Sequence, residues 1–306
     1  MVRLIWRVPG QDRIAAAVSE IAHPCSPPVT SFDVFVETLD AVREIEAILT
    51  MPTCQAGGAS PKGIGVIFAP GSGAQEYKGR LMSQLAHTFA QAGCPSVRYT
   101  VKAGKVVAEA RRSMAFRLAL DTLRSSPHVS GIKRWVVLAS GTGARVAANI
   151  GKDLQQSGDE DVVGYVFFGC GFSSAAQEDL DCLRDLQTCS QRPCLFYVPS
   201  DDSNAALQGL RAAPAASGCP MHYLRKDHLR FVHAKADAGM KVNAKSGKYS
   251  PATVDEVDVT VAQWAEAVVA GDAAKLKDIG VALDEALAQA PAAAANDTEG
   301  EPAPAE

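Results

Sequence analysis

The sequence lacks several features that mark common classes of protein. Its 306 residues include 30 Lys or Arg and 34 Asp or Glu, so it has no excess of positive charge such as sequence-independent nucleic-acid binding requires. Its longest apolar runs are far shorter than the roughly 20 residues that a membrane-spanning helix needs. Its eight cysteines form no C-x-x-C pair, and their spacing matches no common zinc motif. We therefore expect no nucleic acid, no membrane, no metal and no cofactor.

The excess of negative charge lies at the C-terminus. Residues 291–306 contain four acids and no base, and the rest of the chain has equal numbers of acids and bases. Because this Pro- and Ala-rich stretch offers little apolar surface to bury, we predict a disordered acidic tail. The start of the chain does not have the pattern of a secretory signal, so we expect reduced thiols and a cytoplasmic protein. Organelle targeting by residues 1–24 is the alternative.

Apolar strands alternate with amphipathic helices along the middle of the chain. The runs at residues 63–69, 134–140 and 162–168 are apolar almost throughout, as strands of a sheet covered on both faces are. These patterns predict an α/β fold with a mostly parallel central sheet and helices on both faces. We divide the chain into an N-terminal extension (1–31), one domain (32–271), a C-terminal helix (272–290) and the tail (291–306).

Polar groups follow the predicted strands in an informative order. In a parallel sheet, sites form outside the carboxyl ends of the strands. The glycine-rich segment 70–74 follows the first buried strand, SGTG at residues 140–143 ends another, and Asp202 follows a later one. A last strand predicted at residues 221–225 precedes His228. A glycine-rich loop, a sharp strand-to-helix turn, an acid and a histidine in that order are the layout of an α/β-hydrolase.

Five segments resemble one family within that fold. They are GVIFAPGSGA, SVRYTVK, SGTGAR, CLFYVPSDD and HYLRKDH, and they are similar to the small α/β-hydrolase family of testis-expressed protein 30 and the third subunit of the NSL acetyltransferase complex. The resemblance extends over residues 43–271. It implies a serine nucleophile in an elbow of the pattern Gly-Arg-Ser-Met-Gly-Ser-Arg. In this chain it aligns Gly141 with that serine and Arg145 with the last arginine, and it implies that Asp202 is the acid and His228 the base.

The resemblance also implies an oxyanion hole, formed by the backbone amides of Gly71 or Ser72 and of Thr142. Glycine has no side chain that could attack a carbonyl carbon, so the attacking oxygen is missing from position 141. The sequence therefore predicts a protein with a hydrolase fold and a degenerate catalytic triad, a pseudoenzyme that acts by binding or regulation.

Three alternatives are open at this stage. Ser140 adjoins the elbow, and a one-residue slip of the turn would make it the nucleophile of a carboxylic-ester or acyl hydrolase with His228 and Asp202. Strand alternation, however, points its side chain away from the face of residue 141. Cys170 at the end of a central strand is either a substitute nucleophile or a buried inert thiol. Asp202 also suits the N-cap of a helix predicted near residue 204.

Positive charge is concentrated in residues 224–249. This segment contains seven bases and two acids, and it shows no clear helical or strand period. We interpret it as a solvated basic loop beside the predicted site. The alternative is a flap that attracts a small-molecule ligand of negative charge or an acidic protein surface. Membership of a larger assembly is a further hypothesis, because the resembled family includes a complex subunit.

Overall fold

The strands form one ten-stranded sheet. In the computed structural model, the described part of the chain comprises residues 5–7, 21–23, 29–37, 45–52, 63–71, 79–100, 109–125, 129, 131–168, 182, 185–186, 191–199, 208, 211, 229–234 and 251–289. The strands, numbered in chain order, are β1 (Ile5–Arg7), β2 (Ile21–His23), β3 (Val29–Glu37), β4 (Ile45–Pro52), β5 (Ile64–Ala69), β6 (Ser96–Tyr99), β7 (Arg134–Ser140), β8 (Val162–Phe168), β9 (Cys194–Pro199) and β10 (Leu229–Ala234). The helices are α1 (Arg80–Gln91), α2 (Glu109–Ser125), α3 (Thr142–Gln156), α4 (Pro251–Ala270), α5 (Ala273–Asp278) and α6 (Leu283–Gln289).

The sheet has an antiparallel part and a larger parallel part. Its strand order is β1-β3-β4-β6-β5-β7-β8-β9-β10, and β2 also pairs with β3. All pairs from β6 to β10 are parallel, whereas β4 is antiparallel to both β3 and β6. Parallel neighbours need crossover connections, which run through α1 after β5, α2 after β6 and α3 after β7. The predicted mostly parallel sheet with helices is therefore confirmed.

Helices cover both faces of the sheet because its central strands are apolar on both faces. Alternate residues of β7 show this. Trp135, Val137 and Ala139 are buried in a core cluster with residues of α2 and α3. Val136 and Leu138 are buried in the opposite cluster, with residues of α1 and α4. A residue's place in the alternation of β7 thus indicates which helical layer its side chain faces.

The central strands lie where the sequence predicts them, and the C-terminal helix does not. β7 and β8 coincide with the predicted runs. The C-terminal helix predicted at residues 272–290 is interrupted, because α5 and α6 are separate helices. The chain turns at Gly280, whose φ is 68° and where an added Cβ would lie 2.5 Å from the Phe231 carbonyl oxygen. Both features require glycine.

The sheet extends into the predicted N-terminal extension. β3 begins at Val29, before the domain boundary predicted at residue 32, and β1 and β2 pair antiparallel with it. None of the helices in the described ranges combines the length and apolar character that crossing a membrane requires.

Residues 277–281 cover the outer edge of β10. Phe231 and Val281 exchange two backbone hydrogen bonds, with N···O distances of 2.9 and 2.8 Å. The Arg230 guanidinium donates to the carbonyl of Ile279 at 3.0 Å and also to those of Lys277 and Gly280. In α6, the side chains of Leu283 and Ala286 are buried in the core.

These contacts correct the interpretation of residues 224–249 as one solvated loop. Residues 229–234 form β10, and the Arg230 charge is used to hold backbone carbonyls of the segment that covers it. The remaining residues of that basic segment lie outside the described part of the chain, as do those of the predicted acidic tail.

An ion pair ties the loop before β8 to the end of α2. Arg124 donates to the two carboxylate oxygens of Asp159 at 2.8 and 3.0 Å, and the backbone N–H of Asp161 donates to the same carboxylate. Burial raises the pKa of Asp159, but the hydrogen bonds and charge of Arg124, together with backbone hydrogen bonds from Asp161 and Val162, outweigh it and hold this pKa below its usual value.

Replacing Asp159 with asparagine should therefore destabilise the fold in a pH-dependent way. We expect the free energy of unfolding to fall by about 1–2 kcal/mol at pH 7. A carboxyl group whose pKa is lower in the folded than in the unfolded protein stabilises the fold at pH values above the unfolded-state pKa. This stabilisation is lost as the pH falls through the folded-state pKa. When urea denaturation is repeated at decreasing pH, the free energies of unfolding of the variant and the wild type should converge. Asp153→Asn is the control, because its pair with Arg117 is largely exposed and contributes below about 1 kcal/mol. If Asp159→Asn remained less stable than the wild type by the same amount at acidic pH, the stabilising role of the ionised Asp159 carboxylate would be contradicted.

Candidate functional site

The turn between β7 and α3 consists of one residue, Gly141, which has φ 49° and ψ −120°. Residues with a side chain rarely adopt positive φ, whereas glycine does so at little cost. The Gly141 N–H donates to the Phe168 carbonyl in β8 at 3.1 Å, and its own carbonyl accepts from Ala144 N at 3.1 Å. A buried strand therefore passes directly into a helix at the carboxyl edge of the sheet, as the sequence predicts for residues 140–143.

Two glycines of this elbow have opposite surroundings. A Cβ added to Gly143 would lie 2.2 Å from the Ala69 carbonyl oxygen and 2.7 Å from that of Pro70, so the first turn of α3 packs directly on the end of β5. A Cβ added to Gly141 would meet no atom of the described residues within 4 Å. Among these residues, nothing obstructs a side chain at position 141, and the residue that occupies the centre of the elbow has no reactive group.

Ser140 occupies a different position from that of an elbow nucleophile. It is the last residue of β7 and is half-buried. By strand alternation it belongs with Val136 and Leu138, whose side chains face α1 and α4. The residue with positive φ is Gly141, so the turn is centred on Gly141 and not on Ser140.

The carboxyl end of β5 brings the predicted oxyanion segment beside the elbow. Ala69 of β5 pairs with Ala139 of β7, so Gly71 and Gly141 each follow this pair by two residues. Gly71 is buried, while Thr142 is exposed and begins α3. Arg145 lies in the first turn of α3 and is half-buried. Of the predicted binding residues, the structure thus brings Gly71, Thr142 and Arg145 to the same edge as Gly141.

Arg112 of α2 joins this edge without any signal in the sequence. Its Nη1 donates to the Gly71 carbonyl at 2.8 Å. With Ala69, Pro70, Tyr99 and Val146 it lines a shallow crevice that is too narrow to hold a water molecule. Burial raises the pKa of Tyr99 far above its usual value, against a smaller lowering by the Arg112 charge. Tyr99 is therefore a neutral phenol, and the Arg112 side chain holds the Gly71 carbonyl.

Several predicted site residues lie outside the described part of the chain. These are Ser72, Asp202, His228 and Cys170, together with the strand predicted at residues 221–225, so the roles given to them stay predictions. β9 ends at Pro199, three residues before Asp202, and β10 begins at Leu229, the residue after His228. Within the described ranges, no group of three or more His, Cys, Asp or Glu side chains is placed to hold a metal ion.

Solved structures share this architecture, although no protein-family model and no curated protein sequence matches the chain. Est1E from Butyrivibrio proteoclasticus matches 78% of this chain and 99% of its own, with 10% identity and a TM-score of 0.53. A dienelactone hydrolase from Anabaena variabilis matches 77% and 96%, with 16% identity and a TM-score of 0.50. A fungal esterase from Rhizomucor miehei matches 80% and 85%, with 13% identity and a TM-score of 0.50. At such low identities the similarity concerns the fold alone, and the chain has the α/β-hydrolase fold.

Proposed function

We propose that the protein is a non-catalytic binding or regulatory protein built on the α/β-hydrolase fold. One observation carries this proposal: the residue at the centre of the elbow is Gly141, with φ 49°, and it has no side chain. Covalent acyl transfer begins with attack by a hydroxyl or thiol, and glycine offers neither. When a triad member is removed from well-studied enzymes, only about 10³–10⁴-fold acceleration over the reaction in water remains.

The surroundings of the elbow favour a binding role over simple decay of the site. Gly143 allows α3 to approach β5 closely, and Arg112 donates a hydrogen bond to the Gly71 carbonyl. Arg112 and Arg145 both lie at this edge, and the first turn of α3 contains no acid. Their positive charge favours a small anionic ligand or an acidic protein surface as the partner.

The second candidate function is a serine-type carboxylic-ester or acyl hydrolase that uses Ser140, His228 and Asp202. Its support is that Ser140 directly precedes the elbow. Two observations count against it. By strand alternation Ser140 belongs to the face of β7 that packs on α1 and α4, and the residue with positive φ is Gly141.

A fluorophosphonate probe and short ester substrates distinguish the two functions. We expect no labelling and no turnover above the level of heat-denatured protein, and no change in Ser140→Ala. Ser157→Ala is the matched control, because this serine lies exposed at the C-terminal end of α3. Stoichiometric labelling at Ser140, or ester turnover that Ser140→Ala abolishes and Ser157→Ala does not, would overturn the non-catalytic proposal.

A further inference from the structure

Residues 272–289, which we call the C-terminal clamp, lie on both faces of the sheet beside its outer strand β10. The clamp crosses the edge of β10 where Phe231 and Val281 form an isolated bridge. Apolar side chains before this bridge pack against the core cluster that contains α1 and α4, and those after it pack into the cluster that contains α2 and α3. They are Leu276 and Ile279 on the first face, and Leu283, Ala286 and Leu287 on the second. The clamp thus passes around the edge strand from one helical layer to the other.

Helix α4 ends independently of the contacts between the clamp and the sheet. The N–H of Gly271 donates to the Val268 carbonyl at 3.1 Å, and that of Asp272 donates to the Ala267 carbonyl at 2.9 Å. With Gly271 at φ 67°, these bonds form the Schellman motif, in which a helix is closed by its own carbonyls. Helix α5 has its own cap, because the Asp272 side chain accepts from Lys275 N at 3.0 Å. The hydrogen bonds of both helix ends are therefore local, so opening of the clamp would leave α4 and α5 intact.

The attachment of the clamp to the sheet depends on few contacts. Helix α5 buries no residue, and its C-terminal end is held by Arg230 of β10, whose guanidinium donates to the carbonyls of Lys277, Ile279 and Gly280. Two of the described side chains of α6 are buried. By contrast, β7 is buried over five consecutive residues. Because units with few buried contacts open at a lower free energy than the core, we expect the clamp to open before the sheet unfolds.

Two acids of the clamp add an electrostatic attraction to Arg230. They are Asp278, at the end of α5, and Glu285 in α6. Burial lowers the pKa of Arg230, and the charges of Glu285 and Asp278 oppose this lowering. Arg230 therefore interacts with both helices of the clamp, with the end of α5 through hydrogen bonds and charge and with α6 through charge.

We propose that the C-terminal clamp is a latched cover that leaves the β10 edge as one unit while the sheet stays folded, with Arg230 as the latch. The hydrogen bonds of Arg230 suit this role, because one side chain holds three backbone carbonyls just before the clamp crosses the edge. Opening frees the N–H and C=O of Phe231, so the clamp controls whether the parallel sheet ends in a covered or an open strand. This inference concerns the β10 edge and does not rest on the function proposed for the elbow.

Amide hydrogen exchange followed by NMR tests whether the clamp opens as a separate unit. The Val281 amide is bonded to the Phe231 carbonyl at 2.8 Å, yet we expect it to exchange at least about 100-fold faster than the amides of β7. Asp159→Asn distinguishes local from global opening, because Asp159 stabilises the fold through Arg124 and Asp161, outside the clamp. It should accelerate exchange in β7 about fivefold or more and leave the Val281 rate within about twofold. Equal rates at Val281 and in β7, or equal acceleration of both by Asp159→Asn, would overturn the inference.

Arg230→Met tests the latch. Loss of its three hydrogen bonds to the clamp should accelerate exchange of the Val281 amide by about tenfold or more. Lys275→Met is the matched control, because this cation of the clamp is 74% exposed and its pair with Asp272 spans 3.7 Å, so we expect a change below about threefold. An effect of Arg230→Met no larger than that of Lys275→Met would overturn the proposal. The comparison of Val281 with β7 uses no variant of Arg230, so it decides whether the clamp is a separate unit even if Arg230→Met does not fold.

Discussion

Replacing Gly143 with alanine should destabilise the protein more than any exchange at Gly141, two residues earlier. The added methyl carbon would lie 2.2 Å from the Ala69 carbonyl oxygen and 2.7 Å from that of Pro70. These are backbone atoms at the end of a central strand, and no side-chain rotation relieves the overlap. Helix α3 would have to move away from β5, so we expect a loss of about 3 kcal/mol or more in the free energy of unfolding.

Gly141→Ala is the matched control for this change. Its methyl group would meet no atom of the described residues within 4 Å, and its main penalty comes from φ 49°. We expect that backbone conformation to lower the free energy of unfolding of Gly141→Ala by about 1–2 kcal/mol. Urea unfolding followed by circular dichroism compares the two variants with the wild type. If both lost the same stability, the close approach of α3 to β5 would not be the reason for glycine at position 143.

Trp264→Ala should be the second severe change. Trp264 of α4 is fully buried, and its ring lies over Gly164 of β8, where an added Cβ would be 2.8 Å from the ring. Because the glycine leaves a recess that the indole fills, alanine would create a large cavity. We expect a loss of about 3–5 kcal/mol in the free energy of unfolding. Val259→Ala on the same helix is the control: Val259 is 52% exposed, and such surface changes stay within about 0.5 kcal/mol.

Trp264→Phe separates the packing of the ring from its hydrogen-bonding group. In the described part of the chain, the indole Nε1 of Trp264 is buried and has no hydrogen-bond partner. Phenylalanine retains most of the apolar contact and removes this unsatisfied donor. We therefore expect a loss below about 1.5 kcal/mol. A loss as large as that of Trp264→Ala would show that the cavity is not the main cause of the destabilisation.

The sequence identifies the elements that are determined by local composition. β7 and β8 are buried on both faces, so they appear as uninterrupted apolar runs whose ends coincide with those of the strands. The elbow is also local, because a single residue with positive φ favours glycine, and close contact of α3 with β5 requires a second one. Fold class and the position of the elbow could therefore be predicted before any tertiary contact is known.

Long-range contacts could not be predicted in this way. Arg112 reaches the Gly71 carbonyl across 41 residues of sequence, and Arg230 reaches the Ile279 carbonyl across 49. A helical or strand period contains no information about either partner. The last strand of the described sheet illustrates the same limit, because residues 229–234 are a short mixed segment and only their pairing with β9 identifies them as a strand.

The cover over β10 has a consequence for synthesis on the ribosome. β10 is complete once Ala234 has been added, but the residues that pair with its outer edge, 277–281, come more than forty residues later. At a translation rate of 5–20 residues per second, about 2–9 seconds pass before residues 277–281 have been synthesised. During that interval its unpaired N–H and C=O groups can pair with any other extended chain. If translation stops in this interval, the outer edge of β10 stays unpaired. We expect chaperones and proteases to act on such a polypeptide.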